Sequence, residues 1–520
     1  MSIPIETEIF KNLFVSICEE MGIGLMRTAF SPNIKERRDY STAIFDERGQ
    51  TIAQGDHMPV HLGAMPISVA AVIGRMELAD GDAVLLNDPF AGGTHLPDLT
   101  VISPVYHHSR RPLFYVANRA HHADVGGMAA GSMPLASEIF QEGLIIPPLK
   151  IMRRHRLNRE ILDLLLRNVR TPEERLGDLH SQLAANQIGR RSLQTLLKKY
   201  GPRAVSRFGR RLQDYTERIM RRTLAEIPAG TYQAVDWLDD DGQGRERIRI
   251  AVRLRIRNGE ADIDFSQSAP QTDGNINANY AICFAAAMYV FRAIIAEDVP
   301  YNSGIFRPLR VRTRPGTVVD ARFPAAVAGG NVETSQRIVD VLLKALHPVL
   351  PGRIPAASQG TMNNISFGGR GPGGPFAYYE TIGGGMGASA AWPGLSGVHS
   401  HMTNSLNTPV EALENVLPVR IRRYELRRGS GGAGRHRGGE GIRREYEFLE
   451  PVQVNVLSER REIGPYGLAG GAPGKPGRNL LARAKRTHRK PGKFSAALKR
   501  GDRLIIETPG GGGYGRTPGR

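Results

Sequence analysis

Hydrophobic and polar positions sort this chain into elements of two periods. Between residues 8 and 26, Ile9, Phe10, Leu13, Phe14, Ile17, Cys18, Met21, Leu25 and Met26 recur at steps of three and four, the spacing of one helix face. Residues 41–45 and 51–54 predict two short strands and 83–88 a third, while LTVISPVYH and PLFYVANRAHHAD predict a hairpin about the turn HSRR. From 157 to 226 the pattern is helical and charged, an insertion of two or more helices. In the following β unit, Ile248, Ile250, Val252, Leu254 and Ile256 alternate with five arginines, and Asn258-Gly259 supplies a two-residue hairpin turn. That turn sets Arg257 opposite Glu260, Arg255 opposite Asp262 and Arg253 opposite Asp264, giving three arginines local acidic partners. An apolar helix is predicted over 279–298 and an amphipathic one over 331–346, with Asn331 and then Thr334 as its N-cap candidates. Beyond residue 357, short β segments alternate with glycine runs such as GGRGPGG and TIGGGMG, expected as turns.

The fold class expected is therefore α+β, a large composite body with mixed β-sheets. Its expected parts are a metal-site α+β region over 1–150, a helical insertion over 151–228, an α+β region over 229–356, and a glycine-rich β region over 357–520. Glycine, 60 of 520 residues, stands at about 12% against a usual ~7%. The two cysteines, Cys18 and Cys283, fall in apolar helices, which excludes a disulfide scaffold and suits a reducing, cytoplasmic setting. No basic stretch leads into an apolar run at the start, so no signal peptide is expected, and no apolar run is long enough to span a membrane.

Lys+Arg 69 against Asp+Glu 51 gives a net charge of +18, which raises nucleic-acid binding as one function class. Position argues against it. The strand arginines have acidic partners, and the helical charges read as a solvated face. The densest basic run, from Arg478 through Arg483, Lys485, Arg486, Arg489, Lys490, Lys493 and Lys499 to Arg500, holds Phe494 as its one aromatic, so the stacking platform of a single-strand binder is missing. A solvated loop or tail is expected there. GSGGAG (429–434) and GGGGYG (510–515) satisfy G-x-G-x-x-G but lie outside any strand-to-helix turn, and no phosphate loop of the G-x-x-x-x-G-K-[ST] type occurs.

The chemistry-bearing cluster is NDPFAGGTHLPD (87–98) with NRAHHADVGG (118–127). A hairpin centred between Ser109 and Arg110 sets Asp98 opposite His121, and directly opposed residues have Cβ atoms ~5 Å apart, close enough to share one ion. A register shift of one would substitute His122. The GGT loop could fold His95 back to the same point, and Asp39, just before a strand, could reach it from another element. Two imidazoles and one or two carboxylates suit a divalent transition metal, Zn, Mn or Fe, with room for an activated water. Hydrogen-bonded loop and strand-end histidines are the plainer reading of the same spacing. His399 and His401, two apart, are expected to line a cleft.

Several blocks then resemble one family: ERRDYSTAIFD, GDHMPVHLGAMPISV, NDPFAGGTHLPDLTVISPV, AHHADVGGMAAGSMP, QEGLIIPPLK, NSLNTPVEALE, YELRRGSGGAGRHRGGEG and TPGGGGYG. Together, from about residue 8 to 515, they resemble the hydantoinase B/5-oxoprolinase family. The resemblance implies the metal-bearing subunit of an ATP-dependent cyclic-amide hydrolase, opening 5-oxoproline or a hydantoin. It implies a hydantoinase A-type ATPase partner that uses ATP to phosphorylate the ring carbonyl oxygen, hence a hetero-oligomer with neither nucleic acid nor membrane as partner. It also implies the metal ligands Asp39, His95, Asp98 and His121, choosing His121 over His122. Asp124 or His122 is then the candidate to orient a ligand or relay a proton. Subunits of acetone and acetophenone carboxylases are related, so a carboxylase subunit is the alternative. One departure stands out: Ser458-Glu459-Arg460 occupies the place of the family's usual aspartate–arginine segment.

Overall fold

The computed structural model describes residues 4–55, 57–484 and 486–517. The helix predicted near the start is α1 (Ile5–Thr28), followed by the short α2 (Pro32–Lys35). Strands β1 (Tyr40–Asp46) and β2 (Thr51–Gln54) come next, then α3 (Pro59–Leu62) and α4 (Met65–Arg75). β3 (Ala83–Leu86), the hairpin β4 (Asp98–Val105) and β5 (Phe114–His121), then β6 (Leu149–Arg153) and β7 (Arg156–Leu157) complete a seven-stranded antiparallel sheet, ordered β2-β1-β5-β4-β3-β6-β7. The hairpin register is the one its turn predicted, Asp98 opposite His121.

Both faces of this sheet are covered. The helical insertion is α5 (Arg159–Arg167), α6 (Pro172–Tyr200) and α7 (Pro202–Ala225). Phe14, Cys18 and Met21 of α1 share one apolar cluster with Ile44, Val116, Leu193, Leu197 and Phe208. On the opposite face, Met65, Val69 and Val72 of α4 pack on Phe45, Val84, Ile102 and Ala117. Alternation along β5 therefore turns Asn118 and His122 toward α6, and Arg119 and His121 toward α3 and α4.

A second sheet joins β8 (Gly230–Asp240), β9 (Glu246–Arg257), β10 (Glu260–Asp264) and β11 (Leu309–Arg312). The Asn258-Gly259 turn gives the predicted register, Arg257 to Glu260 through Arg253 to Asp264. The ion pairs follow it only in part. Arg253 meets Asp264 at 3.1 Å, but Asp262 turns to Arg312 and Glu260 to Arg221 and Arg310, because the neighbouring strand and helix offer nearer guanidinium groups. Ile250, Leu254 and Ile256 pack on α8 (Tyr280–Ala293) and α9 (Ser335–Leu346).

Those two helices differ from expectation in their ends. α8 stops at Ala293, with Asn279 as N-cap accepting from Ile282 N at 3.0 Å. α9 begins only after a wide turn of π-helix, Gly330–Thr334; Thr334 holds the N-cap position but makes no side-chain cap bond, and Asn331 lies within the π turn. Thr334 Oγ1 donates instead to Ile276 O, and Asn331 turns toward Asp98.

The C-terminal part contains β12 (Asn364–Gly371) and β13 (Gly374–Glu380), α10 (Val410–Val416), then β14 (Val419–Arg427), β15 (Gly441–Phe448) and β16 (Val452–Leu457). It ends with β17 (Arg478–Arg483), β18 (Arg486–Lys490), β19 (Lys493–Leu498) and β20 (Arg503–Glu507). Two sheets, β13-β12-β16-β19 and β14-β15-β20-β17-β18, share an apolar cluster that includes Phe367, Val454, Tyr446 and Ile506. The basic run expected as a loop or tail is thus three strands; Lys485 lies outside the described residues. Lys493 is buried against Glu459 at 2.6 Å, and Arg478 reaches Glu507. The glycine runs are likewise not all turns. A Cβ on Gly438 would stand 2.0 Å from Gly511 O, so these backbones touch where any other residue would separate them.

Candidate metal centre

Three elements deliver the site. β4 starts at Asp98, β5 ends at His121 directly opposite it, and the loop before β4 carries His95. That loop is clamped. Asn279 Nδ2 donates to Pro89 O, Gly93 O and Thr94 O at 2.9–3.1 Å, and Asn87 Nδ2 donates to Leu96 O at 2.8 Å. Gly92 adopts φ +99°, and a Cβ on Gly93 would lie 2.3 Å from Asn87 O, so the tight return of His95 needs both glycines.

His95, Asp98 and His121 are fully buried and bring one ligand atom each within 4.8 Å of one another. His95 Nε2 lies 3.2 Å and His121 Nδ1 3.3 Å from Asp98 Oδ1. Ligands ~2.1 Å from a shared ion stand at about such separations. Asp98 Oδ1, both nitrogens of His95 and His121 Nε2 make no hydrogen bond although they are buried. Orphaned polar atoms of this kind cost about 1–3 kcal/mol each, and nitrogen and carboxylate donors converging on one point are a set that a divalent cation would satisfy. Burial pushes the Asp98 carboxyl up, but His95 and His61 beside it outweigh this and hold it well below the usual carboxylate range. Burial lowers the His121 imidazole from its ordinary value, leaving it neutral with a free lone pair.

Four further groups hold the cluster. Asp98 Oδ2 accepts from Thr94 Oγ1 at 2.7 Å and lies 3.3 Å from His61 Nε2, while Ser41 Oγ bonds His61 Nδ1 at 3.0 Å. Asn331 Nδ2 approaches the same oxygen at 3.5 Å. Tyr379 of β13 stacks on His121, with centroids 4.4 Å apart. Its hydroxyl donates to Asn364 Oδ1 at 2.8 Å, and Arg37 lies over its ring. His61 is the residue that sequence reasoning should have found, since it sits within the quoted block GDHMPVHLGAMPISV. Tyr379 and Asn331 carry no local signal.

Asp39 is buried beside the cluster rather than among its three members. Its carbonyl accepts from His121 N at 3.0 Å and its carboxylate lies 3.6 Å from Arg37. His122 faces the opposite side, where Nε2 meets Gln182 Oε1 at 3.0 Å and burial lowers its pKa to about 4. Asp124 closes the following loop, accepting from the backbone N–H groups of Gly126, Gly131 and Arg170 and from the Arg170 guanidinium. His399 is half-buried and His401 buried, both outside the trio, with His401 Nδ1 lying 3.4 Å from Tyr289 Oη. Ser458, Glu459 and Arg460 are interior too, Arg460 reaching Asp236 and Asp340 at 2.8 Å each.

The sequence and the fold both recur in known proteins. The sequence profile of one family, hydantoinase B/oxoprolinase, matches residues 3–517, and the chain belongs to that family. It is 39% identical to 5-oxoprolinase 1 of Arabidopsis thaliana over 98% of this chain, but spans only 42% of that protein's length. Among solved structures it resembles the ATP-dependent caprolactamase from Pseudomonas jessenii, with a TM-score of 0.92 and 29% identity, covering 99% of this chain and 92% of that one. Acetone carboxylase shares the fold with a TM-score of 0.90 at 18% identity, covering 98% and 76%. No helix among the described residues is long and apolar enough to cross a membrane.

Proposed function

We propose that this chain is the metal-bearing subunit of an ATP-dependent cyclic-amide hydrolase. In this reading a hydantoinase A-type ATPase partner phosphorylates the carbonyl oxygen of a lactam or hydantoin, and this chain completes ring opening. The observation that carries it is the buried His95–Asp98–His121 trio, which brings one ligand atom from each residue within 4.8 Å of the others and leaves Asp98 Oδ1 and both His95 nitrogens without hydrogen-bond partners, in a member of the hydantoinase B/oxoprolinase family. The name of the structurally similar caprolactamase adds a larger lactam ring to 5-oxoproline and hydantoins as candidate substrates.

His95, Asp98 and His121 would hold the ion, with Asp39 beside them as a further ligand. A bound divalent transition metal supplies Lewis acidity and a hydroxide available near neutral pH. The chain's own residues prepare the site. Asp98 is kept ionised and aimed by Thr94 and His61, and the Tyr379 ring keeps water from one face of His121. His122 and Asp124 support the fold of the β5 end from the far side, fixing His121 in direction. Because phosphorylation is the partner's task in this reading, the lack of a phosphate-loop motif in this sequence is in keeping with it.

Elemental analysis of the purified chain tests the site: about one transition metal per chain is expected, with loss in Asp39→Ala, His95→Ala and His121→Ala. Full occupancy in all three variants would sink the assignment. Co-purification with the A-type subunit, followed by product analysis with 5-oxoproline, hydantoins and caprolactam, tests the reaction. ATP turnover that requires bicarbonate and a ketone would instead support the carboxylase alternative.

A further inference from the structure

A cavity of about 500 Å³ opens on the C-terminal sheets, between the end of β14, the start of β17 and the tip of β18. Six of the side chains lining it are cationic and one, Glu462, is a carboxylate. Its floor is Arg461, 3% exposed, whose guanidinium donates to Asn363 Oδ1, Asn479 Oδ1 and Glu459 O at 2.7–3.1 Å. All of these acceptors are neutral amide oxygens, so the guanidinium is fixed in place without a hydrogen-bonded carboxylate. Gly477 makes this geometry possible, since a Cβ there would lie 2.6 Å from Arg461 Nη1.

The walls add further charge. Arg427 and Arg478 share Glu507, at 3.5 and 2.7 Å, and Arg489 meets the exposed Glu462 at 3.4 Å. Arg428 and Lys475 form no ion pair among the described residues. The Lys475 backbone is held at both ends, its N–H on Ser430 O at 2.8 Å and its carbonyl accepting from Gly510 N at 3.2 Å. Burial lowers Arg427 and Arg461 from the ordinary arginine value, Arg461 to about 10; Arg478 and Arg427 add to this, while Glu507 and Glu440 beside Arg427, and Glu333, Asp239 and Glu459 beside Arg461, oppose it.

We propose that this cavity binds a phosphate-bearing anion. A tetrahedral dianion accepts hydrogen bonds from several directions at once, which a rigid floor guanidinium and flexible wall cations can supply together. A halide or a monocarboxylate would leave most of that charge uncompensated. Inorganic phosphate and the phosphates of a nucleotide share this chemistry. The pocket is separate from the metal trio but connected to it. Arg461 bonds Asn363, whose neighbour Asn364 accepts from the Tyr379 hydroxyl, and Tyr379 stacks on His121.

Isothermal titration of the full chain with inorganic phosphate and with ADP, against acetate at matched ionic strength, tests this. Saturable binding of at least one phosphate probe, absent with acetate, is expected. It should weaken about tenfold or more in the double variant Arg428→Gln/Lys475→Gln, and several-fold between roughly 0.05 and 0.3 M salt. Both substitutions are on exposed side chains, and unchanged metal content and thermal midpoint report that the fold is intact. Tighter binding of ADP than of phosphate would identify a nucleotide; equal or weaker binding would identify the free anion. No heat beyond the acetate control, or identical binding by the double variant, would overturn the proposal, and neither result bears on the metal trio.

Discussion

The ring of Tyr379 lies flat on the imidazole of His121, their planes 19° apart, although the two residues belong to different sheets and to distant parts of the chain. The β4–β5 hairpin and the C-terminal sheets therefore meet on a single imidazole, and its orientation depends on both. Replacing Tyr379 by Leu is expected to weaken metal affinity about 10- to 100-fold, the usual cost of losing a group that orients a ligand. Tyr379→Phe keeps the stack and loses one buried hydrogen bond, costing stability about 1 kcal/mol with little change in metal affinity. Competition titration with a chromogenic chelator separates the two; equal affinity losses would assign the effect to the hydroxyl instead.

The GGT loop gives a second expectation. Gly93→Ala forces a Cβ to within 2.3 Å of Asn87 O, so the loop must shift and carry His95 with it. Metal content should fall and the chain should lose about 1–3 kcal/mol. Gly74→Ala in α4 is the control, because nothing lies within 4 Å of its Cβ position. There helix propensity should stabilise by about 0.5–1 kcal/mol, seen in paired denaturation curves.

Glu142 sets a pH dependence. Its Oε1 accepts from Val327 N and Ala328 N at 2.9 Å each, yet burial outweighs these bonds and raises its carboxyl to about 8. Unfolded, it titrates near the ordinary glutamate value of ~4.3. Between these values the native state holds a proton that the unfolded chain has released, so this group's contribution to stability falls as pH rises from about 4.5 to about 8 and is flat outside that window. Glu142→Gln keeps the acceptor and removes the titration. Denaturation midpoints at pH 5 and pH 8.5 should therefore differ less in the variant than in the native chain; an equal fall in both would show that Glu142 is ionised throughout.

The basic C-terminal run should respond unevenly to charge removal. Lys493 is buried on Glu459 at 2.6 Å, with Asp240 at 3.5 Å, so Lys493→Met takes from a buried carboxylate its nearest cation and leaves it only Arg337 at 3.7 Å. A loss of about 3–5 kcal/mol is expected. Arg486, exposed on β18, should tolerate Gln within about 0.5 kcal/mol. Urea denaturation of the two single variants checks the contrast.

Local pattern carried much of this molecule. Two-residue alternation and turn position set Arg253 opposite Asp264, and they brought Asp98 opposite His121 to within one register step, with His122 as the alternative that the family resemblance removed. Charge partners were less legible. Asp262 pairs with Arg312 of β11, a neighbour that only the crossover brings alongside. Asn331 read as a helix cap because its sequence context is that of one; the π turn that redirects it toward Asp98 depends on packing from outside the segment. Arginine-rich strands read as a tail for a related reason: the acids that meet them, Glu507 at Arg478 and Glu459 at Lys493, come alongside only in the folded sheets.

The glycine segments of the C-terminal part have a calorimetric consequence. Gly511 N donates to Gly439 O and Gly432 N to Gly511 O, while Gly512 and Gly513 donate to Ala357 O and Ala472 O, all at 2.8–2.9 Å. This stretch of interior is made of peptide amides touching one another, where most domains place hydrocarbon. Unfolding it exposes polar surface, which lowers heat capacity, in place of apolar surface, which raises it. The C-terminal region should accordingly melt with a heat-capacity step per residue below the usual ~12–15 cal/mol/K, and its stability should vary less with temperature than that of the helix-covered sheet that holds the metal trio.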